Sequence, residues 1–375
     1  MPEDTENLSV LQRNTEMVGN PREHQIIEEY LSKREPVFHD LCELKKQGWA
    51  SAEGDKVFDE RKRKADSVGP EGRQSFFLMT VRIGDEMARR TNVFRFDNQS
   101  PLVLDLCMAP GGFTQSVLKR YPDAHVHAIT LPPEEGGYPV IANHPNLSIV
   151  YADITLYATD FGVTEIPVNH PDPALFSHDR PYQDCRYDLV FCGGAVLRAQ
   201  PRAEYRKVGE QMRLTVSQLI FAFQRIKPGG TIVLLLRKIE AWDTVRILHT
   251  FSKFAAIKLF KPYRAHAIKS TFYLVAQSIL PKTQEAVKAL EEWKTLWYEW
   301  TFGVGGETSS IPAETGSGDG SEVTEILEEY GTRLVELGRP IWKVQANALR
   351  NSGFIKSCQD NESCHDQQPV ESLES

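Results

Sequence analysis

Residues 105–113 read DLCMAPGGF and bring a carboxylate, a proline and two adjacent glycines into one short turn. Gly111 and Gly112 let the backbone approach a ligand with no Cβ in the way, and Pro110 stiffens the turn. A helix that starts near Gly112 offers free N–H groups and a positive end to a ligand carboxylate. The spacing is neither the G-x-G-x-x-G of dinucleotide loops nor the G-x-x-x-x-G-K-[ST] of phosphate loops. Further on, YADIT (151–155) sets Asp153 after an apolar run, and YDLVFCGGA (187–195) ends another on Gly193 and Gly194. Two glycines stand there where chemistry would want a side chain.

The elements that must position these residues follow from the apolar patterning. PLVLDLCMAP (101–110), AHVHAITLP (124–132), NLSIVYADI (146–154), YDLVFCGG (187–194), GGTIVLLLRK (229–238), AIKLFKP and STFYLVAQ (270–277) read as strands. Helical spacing fills 75–94, GGFTQSVLKRY, 202–226 and AWDTVRILHTFSKF between them. Continuously apolar strands alternating with helices indicate a parallel sheet covered on both faces, a doubly wound α/β domain over roughly residues 72–280. Ligands of such sheets sit outside the carboxyl ends of the strands.

Two helices broken at Pro36 fit residues 23–49, and the tryptophan-rich segment 284–302 closes the body. Residues 303–375 read as a linker, a short, isolated amphipathic helix in SEVTEILEEYGTRLVEL, and an acidic tail of disordered composition. The expected division is a helical segment over 1–71, the α/β domain with its closing helix over 72–302, and the linker and tail beyond.

Asp105, Pro110, Gly111, Gly112 and Phe113 together form acid-x-x-x-Ala-Pro-Gly-Gly-Phe, and in this the chain resembles the FtsJ-like (RrmJ-type) S-adenosylmethionine-dependent methyltransferases. Later landmarks agree in order: Asp153, Asp188-Leu-Val opening the fourth strand, PGG (228–230) before the fifth and FYLVA (272–276) in the last. The resemblance implies a Rossmann-like methyltransferase fold with S-adenosyl-L-methionine as cofactor. It implies that Asp105, Gly111 and Gly112 hold the methionine end and that Asp153 accepts from the adenine amino group. Thr130 stands where many methyltransferases place an acid for the ribose hydroxyls.

The family is known for a Lys-Asp-Lys-Glu tetrad that activates an RNA ribose 2′-hydroxyl. Counting along this chain, the aspartate falls on Gly193 and the glutamate on Thr271. The lysine of the fifth strand falls on Leu235, with Arg237 and Lys238 slightly further on, and the first lysine falls near Leu78 or Met79, with Arg82 the nearest base. Lys238 serves as the catalytic lysine only if the strand end is displaced. Three readings follow: an RNA ribose methyltransferase with shifted catalytic groups, a methyltransferase for a small-molecule acceptor, and a non-catalytic binding module.

Candidates for the acceptor side are Arg198, Lys238, Glu240, Asp243, Lys261, His266 and Lys269. The basic run KLFKPYRAHAIK (258–269) is either an exposed hairpin or a phosphate contact. The long connection 157–187 is expected to form a lid or a substrate wall, with His170 and His178 as contacts. RKRK (61–64) reads as a solvated helix face or, less simply, a nuclear-import or phosphate patch.

The 375 residues carry a net charge of −8, and from Glu307 onward 13 acidic and 5 basic residues leave 38 of each sign before it. A neutral body argues against a broadly basic nucleic-acid surface and leaves room for a local patch. Six scattered cysteines form no CxxC pair, so neither zinc nor a disulfide framework is expected. With no long apolar span and an acidic, polar beginning, the expected location is the cytosol or nucleus, without membrane association. A protein partner is expected, if anywhere, at the C-terminal helix.

Overall fold

The apolar runs form one sheet in the computed structural model, which describes residues 21–50, 56, 69–196, 202–303 and 320–355. Its strands are β1 (Leu102–Leu106), β2 (His125–Thr130), β3 (Leu147–Tyr151), β4 (Tyr187–Cys192), β5 (Ile226–Arg237), β6 (Ala256–Phe260) and β7 (Thr271–Gln277). They are ordered β3-β2-β1-β4-β5-β7-β6. The order reverses between β1 and β4, so the loops leaving these two strands face each other across a crevice.

The sheet is mixed where an all-parallel one was expected. β1 to β5 pair in parallel, while β7 runs antiparallel to both β5 and β6. An apolar run carries no sign of its direction, and only the short 261–270 connection between β6 and β7 hinted at a hairpin.

Helices α1 (Pro21–Arg34), α2 (Pro36–Ala50), α3 (Pro70–Thr91), α4 (Gly112–Arg120), α5 (Glu210–Arg225), α6 (Trp242–Ser252), α7 (Gln284–Phe302) and α8 (Ser321–Arg350) surround it. Side chains alternate across each strand, so the sheet has two cores. On one face Val103, Leu189, Phe191, Val233, Tyr273 and Val275 pack with Ile83 and Met87 of α3 and Val117 of α4. On the other Leu104, Val190, Ile232 and Leu234 pack with Leu219 and Ile220 of α5 and Leu248 of α6. Each such side chain, fully removed from water, contributes about 1.5–3 kcal/mol.

The C-terminal helix differs from its expectation. It runs for 30 residues, and it is not isolated: Trp342 meets the Phe38 ring at 4.9 Å, and Arg339 Nε donates to Glu35 Oε2 at 2.6 Å. Gly331 lets it approach α1 closely, since a Cβ there would lie 2.3 Å from the Tyr30 hydroxyl. Its apolar stripe thus finds a partner hundreds of residues earlier, which periodicity alone does not reveal. Among the described residues, no helix is long and apolar enough to cross a membrane.

The connection 157–186 is a folded wall. Asp160, fully buried, accepts from Arg225 Nη2 at 2.8 and 2.9 Å, which ties the wall to the end of α5.

Candidate cofactor and acceptor site

At the end of β1 the chain enters the left-handed region twice, at Cys107 (φ 60°) and Gly111 (φ 98°). Gly111 has no alternative: a Cβ there would stand 2.6 Å from Ala142 Cβ and 2.8 Å from Met108 Cε. At Gly112 a Cβ would lie 2.0 Å from Thr80 Oγ1, because α3 and α4 touch at this point. α4 starts without a side-chain cap, which leaves donors of its first turn facing the crevice.

Asp105 is 2% exposed and accepts from Thr114 Oγ1 at 2.7 Å. Burial pushes its carboxyl up to about 7, against the opposing effect of the Thr114 hydroxyl and backbone N–H. Thr130 Oγ1 accepts from the Ala109 N–H at 3.2 Å, so this hydroxyl braces the glycine loop and keeps its own proton to donate. The Pro110 carbonyl accepts from Ile141 N at 3.0 Å and Ala142 N at 3.3 Å, folding the segment after β2 over the loop. Phe113 stacks on Phe191 with centroids 5.1 Å apart.

Asp153 lies at the end of β3 and is held on both sides. Its Oδ1 accepts from the Thr155 N–H at 2.9 Å and hydroxyl at 2.7 Å, and its Oδ2 accepts from Arg206 Nη2 at 2.8 Å. Arg206 also donates to Glu210 Oε1 at 2.5 Å, and these carboxylates raise its already high pKa despite its burial. This arginine stands between the β4 loop and α5 and draws that segment over Asp153. Sequence reading missed it; the basic residue of EYRKVGE just before a helix was the available signal.

The two glycines after β4 have different causes. Gly194 is packed: a Cβ would lie 2.8 Å from Cys107 Sγ and 2.9 Å from the Gln218 amide, whose Oε1 accepts the Gly194 N–H at 2.8 Å. At Gly193 the nearest atoms to a Cβ are Leu106 O at 3.9 Å and Phe113 Cε2 at 4.0 Å. A Cβ fits there in ordinary van der Waals contact, so packing does not demand this glycine.

The other three tetrad positions converge on the same face. Leu235 pairs with Tyr273 across β5 and β7, and Arg237 pairs with Thr271 one step further up. Met79 and Leu235 both pack, half-buried, on the cluster that holds Tyr273. Burial pushes the Tyr273 phenol well above its usual range. Lys238 lies one residue beyond the strand in the left-handed region, φ 47°, which takes it out of the alternation that puts Arg237 above Leu235.

Several expected acceptor-side residues have structural partners. Glu240 is buried against Lys45 Nζ at 2.9 Å. Lys261 is fully buried, donates to the carbonyls of His266 (3.3 Å), Lys269 (2.5 Å) and Thr271 (2.8 Å), and is pushed down to about 7 by burial. Asp243 is pushed up to about 7 by burial. His266 is pushed down to about 4, first by burial and then by the charges of Lys269, Lys261 and Arg237. His170 is a packing residue, ringed by Phe176, Tyr205 and Phe302 at 5.0 to 5.4 Å; His178 is exposed and meets Thr159 Oγ1 at 3.0 Å. Arg198, the run 61–64 and the acidic tail lie outside the described residues. Among the described residues, no group of three or more His, Cys, Asp or Glu is placed to hold a metal ion.

A sheet of this order with a glycine loop after β1 and an acid after β3 defines an α/β protein built around a nucleoside-type cofactor. The FtsJ-like methyltransferase family matches residues 85–279. The chain belongs to that family. It is 25% identical over 157 residues to ribosomal RNA small subunit methyltransferase B of Salmonella arizonae, covering 41% of this chain and 34% of that protein. The chain thus spans about a third of the length of the curated relatives it matches. Among solved structures it is similar to a Plasmodium falciparum protein described as a ribosomal RNA methyltransferase, at 17% identity and TM-score 0.36, over 53% of this chain and 96% of that one. Human methyltransferase-like protein 13, solved with SAH, aligns at 12% identity and TM-score 0.32, over 59% and 88% of the two chains.

The cofactor is S-adenosylmethionine, and the residues present suit it. The uncapped start of α4 suits a carboxylate, the cradle at Gly111 and Gly112 admits no Cβ, and Asp153 offers a fixed acceptor for an amino group.

Proposed function

We propose that the protein transfers the methyl group of S-adenosylmethionine to RNA, with Asp105, Gly111 and Gly112 at the methionine end, Thr130 toward the ribose and Asp153 at the adenine. The cofactor supplies a sulfonium methyl group, and the chain's task is to bring an acceptor into line with it and exclude water. The observation that carries RNA as acceptor is the placement of Arg237. Within a neutral body it stands exposed directly above the Leu235 and Tyr273 pair, with Lys269 and the uncharged ring of His266 beside it. A local cluster of this kind suits a phosphodiester. The relatedness to a ribosomal RNA methyltransferase supports the same reading.

Ribose 2′-O transfer, the acceptor implied by the family's tetrad, needs a proton acceptor beside the hydroxyl. Lys238 is the candidate for it if it swings back over the β5 end. A small-molecule acceptor is the second reading, favoured by the absence of a charged side chain at the counted tetrad positions, Leu78 or Met79, Gly193, Leu235 and Thr271. A mixed pool of cellular RNA and metabolites, offered with labelled cofactor, separates the two. The RNA reading expects label in RNA, with RNA binding that falls steeply between about 50 and 200 mM salt. Label confined to metabolites, or salt-independent binding, removes it. Cofactor binding without any label leaves a non-catalytic module.

A further inference from the structure

We infer that the group entering the acceptor slot is a nucleobase, and not a ribose hydroxyl. This rests on the RNA reading above and specifies which part of the nucleotide reaches the methyl group. Ribose transfer asks for charged side chains that poise a base, yet the positions in question are Leu78 or Met79, Gly193, Leu235 and Thr271, none of which titrates.

What surrounds Gly193 is apolar and aromatic. Phe113 lies beside Gly193, is backed by Phe191 at 5.1 Å and an interplanar angle of 12°, and meets Tyr273 edge-on at 5.8 Å and 83°. Met79 and Leu235 complete the wall on the same cluster. Such a wall offers a sugar edge little beyond the Tyr273 phenol and the Thr271 hydroxyl, and each buried hydroxyl left unpaired is costly. A planar base loses little polar surface against it and gains stacking area.

The cations stand above the slot and not within it: Arg237 is on the strand pair nearer the solvent, with Lys269 close by, while His266, pushed down to about 4, is neutral beside them. They are placed to hold the phosphate while the base descends. No general base is required if the acceptor is a ring nitrogen. Its lone pair forms the new N–C bond as the methyl C–S bond breaks, and the electron pair of that bond goes to sulfur, which loses its positive charge. That nitrogen carries no proton, and the methylated ring takes up the positive charge that sulfur gives up.

The first test digests labelled RNA to nucleosides and fragments each by mass spectrometry between base and sugar. Label on the base fragment is expected; label on the sugar fragment overturns the inference and leaves the RNA reading standing. Label only in metabolites overturns both. The second test needs no turnover and compares short single-stranded RNA with the same strand made abasic. The wild-type chain is expected to bind the intact strand about 10-fold more tightly. Gly193→Leu, whose Cβ is accommodated at van der Waals distance from Leu106 and Phe113, is expected to lose that preference and keep its affinity for S-adenosylmethionine. Equal binding of both strands by the wild type overturns the inference.

Discussion

The two halves of the crevice are built on opposite terms. At the cofactor end every atom is fixed: Gly111 and Gly112 admit no Cβ, Asp105 is locked by Thr114, and Asp153 is clamped by Thr155 and Arg206. At the proposed acceptor end the positions counted for charged groups carry none, and packing does not require Gly193, where a Cβ would meet its nearest neighbours at 3.9 and 4.0 Å. The contrast teaches that cofactor geometry and acceptor chemistry are separable: one constrains backbone and buried polar atoms, the other a few side chains on a rigid ladder.

The sharpest way to break the comparison is Gly112→Val. With Thr80 Oγ1 at 2.0 Å and the Val81 backbone nitrogen at 2.7 Å from the new Cβ, α4 must move. Cofactor affinity measured by calorimetry should fall by more than about 100-fold, beyond the ~1–3 kcal/mol cost of overpacking. Unchanged affinity would place the cofactor elsewhere. Arg206→Ala should act next most strongly. It leaves Asp153 without its ion-pair partner in a buried site, while Glu210 keeps Arg213, and cofactor affinity should drop roughly 10-fold through the loss of a charge-assisted contact.

The neighbouring glycines give a paired test. Gly194→Ala meets Cys107 Sγ and the Gln218 amide within 3 Å and should destabilise by ~1–3 kcal/mol in denaturant unfolding. Gly193→Ala should lie within about 0.5 kcal/mol of wild type. Equal losses would mean that Gly193 is also held by packing.

The smallest effect is one of pH. The folded carboxyl of Asp105 titrates at about 7 against an ordinary 3.8. Between these values the folded state binds the extra proton, so its contribution is complete below the lower value and is lost as pH rises through about 7. Asp105→Asn keeps an acceptor for Thr114 and carries no charge. Its melting temperature should therefore gain on that of wild type as pH goes from 5 to 8, and a constant difference would rule out the buried acid as the cause.

Much of this was legible from the chain itself. The apolar runs fixed all the strands to within a few residues, and DLCMAPGGF marked the loop that the structure places at the switch of strand order. Local sequence could not report contacts between distant segments. The direction of β7, the partner of α8 and the bond from Arg206 to Asp153, 53 residues away, all depend on tertiary packing. Glu240 and Lys261 looked available because a charged residue in a sequence does not show whether it is buried; one is neutralised by Lys45 and the other caps three carbonyls. The two glycines of YDLVFCGGA looked equivalent and differ only through what stands opposite each of them.

The place of α8 has a consequence for how this protein can be divided. β6 is the last strand of its sheet, with one backbone edge left unpaired by any strand, and α8 packs against it as well as on α2. A chain cut before Ser321 would keep the whole region matched by the family, yet it would uncover that edge together with the apolar stripe of α2. Bare edges recruit other strands, so such a fragment should self-associate more readily than the chain that keeps α8, and the C-terminal helix is in this sense a guard over that edge.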